Sequence, residues 1–461
     1  MSQLNRIEKE FNIANIKHDG VCIWPIIKSY LITLEPTKSE ILKKPKSIIK
    51  LLLKNLFLDI FSTHKIFKSK IWVFTNSERR YAINNSYFDR VTSGLLDYFD
   101  NYVLFENPIP KGRSSKNKLQ KGEFLIGMSW IYLIQFLILK FSKTPRIEAF
   151  VDLENYLEQD LSKIKDIYHR YHAGYLFYNF LFKFIKPKGV FLVCYYSNFG
   201  LVKACKKNRI PVLELQHGIV TKNHRAYNFA KTLNGPFTPD YFLSYGPYFN
   251  SIVKNGNLVL EENTLNYGYS FLYEANKKLR KTDEIEKLLT KFNKVICITG
   301  QLENTDRKLL KLVGNVSDEF ADICFVYKPR NKNNMVTFKE KSNFIKWEDI
   351  NTYLLMKYCD YHITIYSTCA IESIALGTPN IAINIDNLYS AHLKDIIGDN
   401  EYNHVVDSEK ELNKLLLRLS NTNYDNKKVV QSISNVISPM ISKELFSNFF
   451  NKVMKEKSNH H

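Results

Sequence analysis

The chain has 461 residues and carries 65 Lys and Arg against 46 Asp and Glu, a formal charge of +19. That length exceeds one ordinary domain, and 45% hydrophobic with 14% aromatic content excludes a disordered chain. The positive excess runs along the whole sequence, so by itself it fits phosphorylated small molecules, an anionic membrane or nucleic acid equally.

The opening stretch, "MSQLNRIEKEFNI", is charged and has no apolar signal region. None of the seven cysteines forms a Cys-x-x-Cys pair. They read as buried thiols of a reducing compartment, and a cytoplasmic location is expected. The segment 43–70 mixes lysines with Leu, Ile and Phe. It suits a helix lying on an anionic bilayer, a peripheral contact with the inner membrane face, or a core-facing helix with a solvated basic side. "IWVFT" (71–75) and "NYVLFE" (101–106) read as strands. The run "FLIGMSWIYLIQFLIL" (124–139) falls short of the roughly 20 apolar residues a membrane span needs and reads as a buried or interfacial helix. "GVFLVCYY", "FGLVKACKKN" and "IPVLELQ" then read as strand, helix, strand, and "DYFLSYG" as a further strand with the helix "PYFNSIVKNG" behind it.

The second half alternates more cleanly. "KVICITGQ", "ICFVYKP", "NFIKW", "YHITIY" and "PNIAINID" are short apolar strands separated by helical segments. Asp283 is expected to cap the helix "DEIEKLLTKFNK", and Ser408 with Glu411 to form a capping box before "EKELNKLLLRLS". Strands alternating with helices predict an α/β protein with parallel sheets. Two Rossmann-like domains follow, 1–275 and 276–430, with a cleft between them. Residues 431–458 are expected to close the chain as a helix packing back on the N-terminal domain. His460 and His461 are set aside as a tag remnant.

Ligands of such sheets bind outside the carboxyl ends of the strands, so the polar residues there are the site candidates. Gln216, His217 and Gly218 close "IPVLEL"; Gly300 and Gln301 close "VICIT"; Lys328 and Arg330 follow "ICFVY"; Tyr366, Ser367 and Thr368 follow "HITI". Ser367 and Thr368 stand at a helix start, where unpaired N–H groups and a partial positive charge suit a phosphate. Glu372 lies about one turn further on the same face, placed to accept ribose hydroxyls. Lys328 and Arg330 add cations for a pyrophosphate. His217 is a candidate general base or a donor to a phosphate or carboxylate. Glu214 is a second base candidate, because alternation turns it away from Leu213 and Leu215. Gly218 is expected to let the backbone turn close to a ligand.

"LELQHG", "PDYFLSYG" with "NYGYS", and "DYHITIYSTCAIESIALGTP" together resemble bacterial glycosyltransferases of the GT-B type that build capsule and lipopolysaccharide, the Kdo and sialic-acid-like transferases above all. Polyol-phosphate transferases of teichoic acid assembly share similar motifs. The resemblance spans roughly residues 189–385. It implies a GT-B fold and transfer of a sugar, from a CMP-linked donor of the Kdo or nonulosonic type, to a glycan or lipid-linked glycan acceptor. It also implies no metal and no cofactor beyond the nucleotide sugar. Where those families carry Lys-x-His-Pro, this chain has Lys328, Pro329, Arg330 and Asn331, and Arg330 takes the place of the histidine. Three other readings compete: a CDP-polyol phosphotransferase, a transferase of nucleotide-activated hexoses, and a non-catalytic basic binding protein. No nucleic-acid module is recognisable, so nucleic acid is not an expected partner.

Overall fold

The computed structural model describes residues 3–31, 48–83, 86–107, 119–232, 235–330, 336 and 338–458. Residues 43–47 of the basic stretch, Asn331, and His460 with His461 lie outside them. The chain forms two compact units, Met1–Tyr245 with Phe249–Phe271 and Ile441–His461, and Gly246–Tyr248 with Leu272–Met440.

The first unit is built on seven strands: β1 (Ile71–Thr75), β2 (Val103–Glu106), β3 (Leu125–Gly127), β4 (Gly189–Leu192), β5 (Val212–Leu215), β6 (Tyr241–Ser244) and β7 (Thr264–Asn266). They hydrogen-bond in the order β3-β2-β1-β4-β5-β6-β7, each pair parallel. The inner strands are buried along their whole length, which is why they read as unbroken apolar runs. The chain starts in the middle of the sheet, runs out to β3, and returns to place β4 beside β1. This reversal is a topological switch point, and it leaves a crevice at the carboxyl ends of β1 and β4. The helices used below are α1 (Ile48–Ser62), α2 (Ser129–Phe141), α3 (Ser162–Leu181) and α4 (Phe199–Lys207). The run 124–139, read as one helix, divides into β3 and α2, because Leu125–Gly127 pairs onto β2 before the helix begins.

The second unit repeats the plan with β8 (Lys294–Thr299), β9 (Ile323–Lys328), β10 (Phe344–Lys346), β11 (Tyr361–Thr364), β12 (Asn380–Ile383) and β13 (Asn403–Val406). Their order is β10-β9-β8-β11-β12-β13, again all parallel. The switch point lies between β8 and β11. Its helices include α5 (Asp283–Lys291), α6 (Glu303–Ser317), α7 (Thr352–Tyr358), α8 (Cys369–Ala375) and α9 (Glu409–Leu419). Thr282, not Asp283, caps α5: its side chain accepts the Ile285 N–H, and Asp283 is the first helical residue. Ser408 caps α9 by accepting the Glu411 N–H, but the Glu411 carboxylate reaches the N–H of Asp407, one residue earlier than a capping box places it.

A line of buried polar side chains crosses this second sheet. Thr299 meets His362 Nε2 (2.9 Å), His362 Nδ1 meets Asn380 Oδ1 (2.8 Å), Asn380 donates to Asn403 (2.6 Å), and Asn403 donates to Tyr389 (2.7 Å). Burial pushes His362 down to about 4, so the ring is neutral at pH 7. The chain then returns to the first unit as α10 (Lys443–Ser458). Phe446 packs on Tyr98, Phe450 on Phe191, and Tyr241 donates to Glu456 (2.6 Å). Among the described residues, no helix is long and apolar enough to cross a membrane.

Candidate functional site

The two switch points gather the candidate residues into two groups. In the first unit, β1 ends at Thr75 and a short turn, Ser77–Arg79, follows. β4 ends at Leu192, and Cys194 follows in the left-handed region at φ 63°, a conformation that costs a non-glycine residue about 1–3 kcal/mol and must be held by its surroundings. β5 delivers His217. These three converge: Arg79 Nη2 donates to Cys194 Sγ (3.0 Å), and His217 Nε2 lies 3.1 Å from Cys194 Sγ and 3.3 Å from the Tyr196 hydroxyl. Arg79 Nε and His217 Nδ1 are buried and meet no protein partner. Burial, and then the Arg79 cation, push His217 down to about 3, so the imidazole is neutral at pH 7. Burial likewise lifts the Cys194 thiol to about 11, which makes it a neutral thiol rather than a thiolate nucleophile.

Glu214 and Gln216 sit differently from their expected roles. Glu214 is fully buried. It accepts the Tyr227 hydroxyl (2.6 Å) and the Tyr195 N–H (2.8 Å), and burial raises it to about 8. As placed, it fixes the turn that carries Cys194 and Tyr196, and it has no face open to an acceptor. Gln216 is also buried: its amide accepts the Tyr245 N–H (2.7 Å) and donates to the Gly218 carbonyl (2.9 Å), joining the ends of β5 and β6. Both polar ends are therefore engaged by backbone. Gly218 has no positive φ, and an added Cβ would meet nothing within 4 Å; the turn does not require glycine, contrary to expectation.

In the second unit, Gly300 and Gln301 leave β8 beside Asp306. Asp306 Oδ1 accepts the Gln301 N–H (2.8 Å) and Oδ2 accepts the Tyr327 hydroxyl (2.9 Å). A Cβ on Gly300 would fall 2.6 Å from Asp306 Oδ2 and 2.7 Å from the Tyr327 hydroxyl, so glycine is required there by crowding. Gln301 Oε1 is buried without a partner. Across the switch point, Tyr366 follows β11 and stacks on His392 (5.1 Å). Burial raises its hydroxyl, and the nearby Arg330 cation pulls it back down. Arg330 is exposed, whereas Lys328 turns to the Glu348 carbonyl (2.6 Å). Ser367 accepts the Cys369 N–H (3.2 Å), and the Thr368 side chain makes no capping bond.

Two expectations for this group change. α8 has only seven residues, so its dipole is a weaker source of positive charge than a full helix would supply. Glu372 is buried against Tyr353, whose hydroxyl lies 3.2 and 3.3 Å from its two oxygens; it is not open beside Thr368 as the spacing suggested. Sequence reading missed Arg79, Tyr196, Asp306 and His392. "IWVFTNSERR" carried a signal for the first, a cation just past the carboxyl end of a strand. Among the described residues, no cluster of three or more His, Cys, Asp and Glu is arranged to hold a metal ion.

Comparison with known proteins adds the following. Residues 249–446, less than half of the chain, match a family described as "Protein of unknown function (DUF354)". No curated protein matches. Among solved structures, the S. aureus MnaA–UDP co-structure superposes at TM-score 0.50 with 11% identity, covering 84% of this chain and 97% of that one. A UDP-N-acetylglucosamine 2-epimerase gives 0.50 and 14%, covering 85% and 97%. The wall teichoic acid polymerase TagF with CDPG gives 0.46 and 14%, covering 94% and 98%. At such identities the likeness is one of fold: this is an α/β protein of the GT-B type with two Rossmann-like parallel sheets.

Proposed function

We propose that the chain is a nucleotide-sugar-dependent glycosyltransferase. In this reading Gln301, Arg330, Tyr366, Ser367 and Thr368 are the nucleotide-binding candidates of the second unit, and Arg79 with His217 are the candidate reactive groups of the first. The observation that carries it is the pair of buried, unpartnered nitrogens, Arg79 Nε and His217 Nδ1, at a switch point. Buried polar groups left without partners are rare in a finished core and are expected where a ligand completes them. The acceptor hydroxyl attacks the anomeric carbon and yields its proton to His217, and the bond from that carbon to the nucleotide phosphate breaks. The nucleotide departs with its phosphate still held by the contacts it makes in the bound donor, to Arg330 and the Ser367 and Thr368 hydroxyls. Nδ1 is the ring nitrogen of His217 left for the ligand, since Nε2 is occupied by Cys194 and Tyr196. An anion bound between Arg79 and the ring offsets the cation that holds the imidazole down and strengthens it as a base.

The finer reading is a CMP-linked acidic sugar. Its carboxylate is a matching partner for the Arg79 guanidinium, and the motif resemblance supports it, as it does a glycan or lipid-linked acceptor. One observation favours a second reading: the two structures superposing at TM-score 0.50 are named for UDP or UDP-N-acetylglucosamine, so a UDP-sugar enzyme is the runner-up. Thermal unfolding with CMP, CDP and UDP, followed by mass spectrometry of products from the corresponding sugar and polyol donors, decides. Stabilisation by CMP and transfer from an acidic-sugar donor are expected. Stabilisation by UDP alone selects the runner-up, and no stabilisation with no turnover sinks both.

A further inference from the structure

We propose that α1, α2 and the end of α3 form a face that lies on an anionic phospholipid bilayer. α1 buries Leu52 but otherwise turns polar residues inward and large apolar ones outward. Its polar residues Asn55 and Asp59 are buried, and Asp59 accepts the Ser129 N–H (3.0 Å) at the start of α2. Its apolar residues Leu53, Phe57, Leu58 and Phe61 face outward, with Phe57 70% exposed. A helix on a water-facing surface has the reverse polarity.

The exposed apolar surface continues beyond α1. Phe67, just past its end, is 75% exposed. α2 packs beside α1 and shows Leu137 and Phe141, the latter 79% exposed; α3 packs beside α2 and leads to Phe180 and Phe184, the latter 72% exposed. Single exposed apolar residues are ordinary, but a set shared by three neighbouring helices marks an interaction surface.

Charge selects the occupant. Segments 48–70, 124–147 and 176–188 contain a single acidic residue, the buried Asp59, against exposed lysines that include Lys54, Lys68, Lys70, Lys140, Lys183 and Lys186. A second copy of the chain docked through the same face would set these cations against their own equivalents. A bilayer surface offers the complement, an apolar layer beneath anionic headgroups. Lys140 Nζ lies 5.8 Å from the Phe141 ring centroid, so cation and apolar ring lie side by side on this face. The chain would lie on the membrane, since no described helix can cross it.

The test is flotation of the full chain with vesicles of phosphatidylcholine alone or mixed with phosphatidylglycerol. Binding to the mixed vesicles is expected, roughly tenfold or more weaker to the neutral ones and weakened by salt. The pair Phe57→Asp and Phe141→Asp should lower it by at least about tenfold, with nucleotide stabilisation retained. Phe57→Trp keeps the surface apolar and covers the case in which the charged variants misfold: brominated lipids should quench its fluorescence. No flotation and no quenching overturns the proposal. So does a dimer in sedimentation velocity that Phe57→Asp dissolves while vesicle binding is untouched, because the face would then be a protein interface.

Discussion

The two units share one strand order and differ in how they finish their switch points. In the second unit the sheet beneath the site is closed by satisfied bonds, from Thr299 through His362, Asn380 and Asn403 to Tyr389, and Asp306 locks the Gly300–Gln301 turn, where Gln301 Oε1 is buried without a partner. In the first unit Cys194 is held in a left-handed conformation, and Arg79 Nε and His217 Nδ1 are left without partners. A saturated network gives a rigid platform; an incomplete one stores polar capacity that a ligand can use. The proposed reading uses the second unit to hold a ligand and the first to act on it.

The largest expected effect breaks the reactive half. His217→Ala should lower kcat about 10²- to 10⁴-fold and move the donor KM far less. Steady-state kinetics with the donor identified by mass spectrometry checks it. A rise in KM at unchanged kcat would make His217 part of the binding platform and erase the contrast between the units.

The acid side of the stability curve comes next. In the first unit His172, His217 and His224 are depressed to about 4, 3 and 4, chiefly by burial; in the second, His362 falls to about 4. A histidine whose folded value lies below its unfolded value near 6.5 stabilises the fold fully above that value and loses its contribution as pH falls toward the folded one. For the fully buried His362 the loss is on the order of 3 kcal/mol. Glu214 works the other way: raised to about 8, it favours the fold at low pH, and its share is lost as pH rises toward 8. His18 and His169 in the first unit and His404 in the second are lowered too, so among the described residues five depressed histidines stand against two, and hydrogen exchange between pH 6.5 and 4 should show the first unit opening before the second.

Much of this was legible in the sequence. The parallel strands were, because burial on both faces leaves an apolar run that periodicity detects; "VICIT", "ICFVY" and "IPVLEL" needed no other clue. His217 and Tyr366 were legible for the same reason, as polar residues where such a run stops. Partners were not. Nothing in "SERR" says that Arg79 meets Cys194, 115 residues away, because that contact is made by the crossover that sets β1 beside β4. Glu372 failed for a related reason: helical spacing gives a face, and packing against Tyr353 decides whether the face is open. α1 is ambiguous in sequence because its apolar and polar residues have helical spacing either way round, and only the fold shows which stripe is inside.

Crowding gives a third test. Gly300→Ala sets a Cβ within 3 Å of Asp306 and the Tyr327 hydroxyl, and relieving that costs about 1–3 kcal/mol. Thermal unfolding should show the loss, and stabilisation by nucleotide should fall with it. A variant as stable as the parent would mean that the turn is pliable and the second unit is not the more rigid platform.

Arg330→Gln is expected to be milder, since the guanidinium is exposed and screened. A roughly tenfold rise in donor KM with kcat little changed is expected from the loss of one charge-assisted contact. If kcat falls instead, Arg330 acts on the leaving phosphate in the transition state, and the second unit takes part in chemistry as well as in holding the ligand.

The smallest structural effect belongs to Gly218, and it isolates the ligand from the fold. Neither φ nor crowding requires glycine there, so Gly218→Ala should change stability by less than about 0.5 kcal/mol. The residue follows His217 directly, and a methyl group there narrows only the space that a ligand would take. Lower turnover at unchanged thermal stability is therefore expected, measured on the same preparation. If activity is also unchanged, no ligand passes that backbone, and the reacting end lies on the Arg79 side of the imidazole alone.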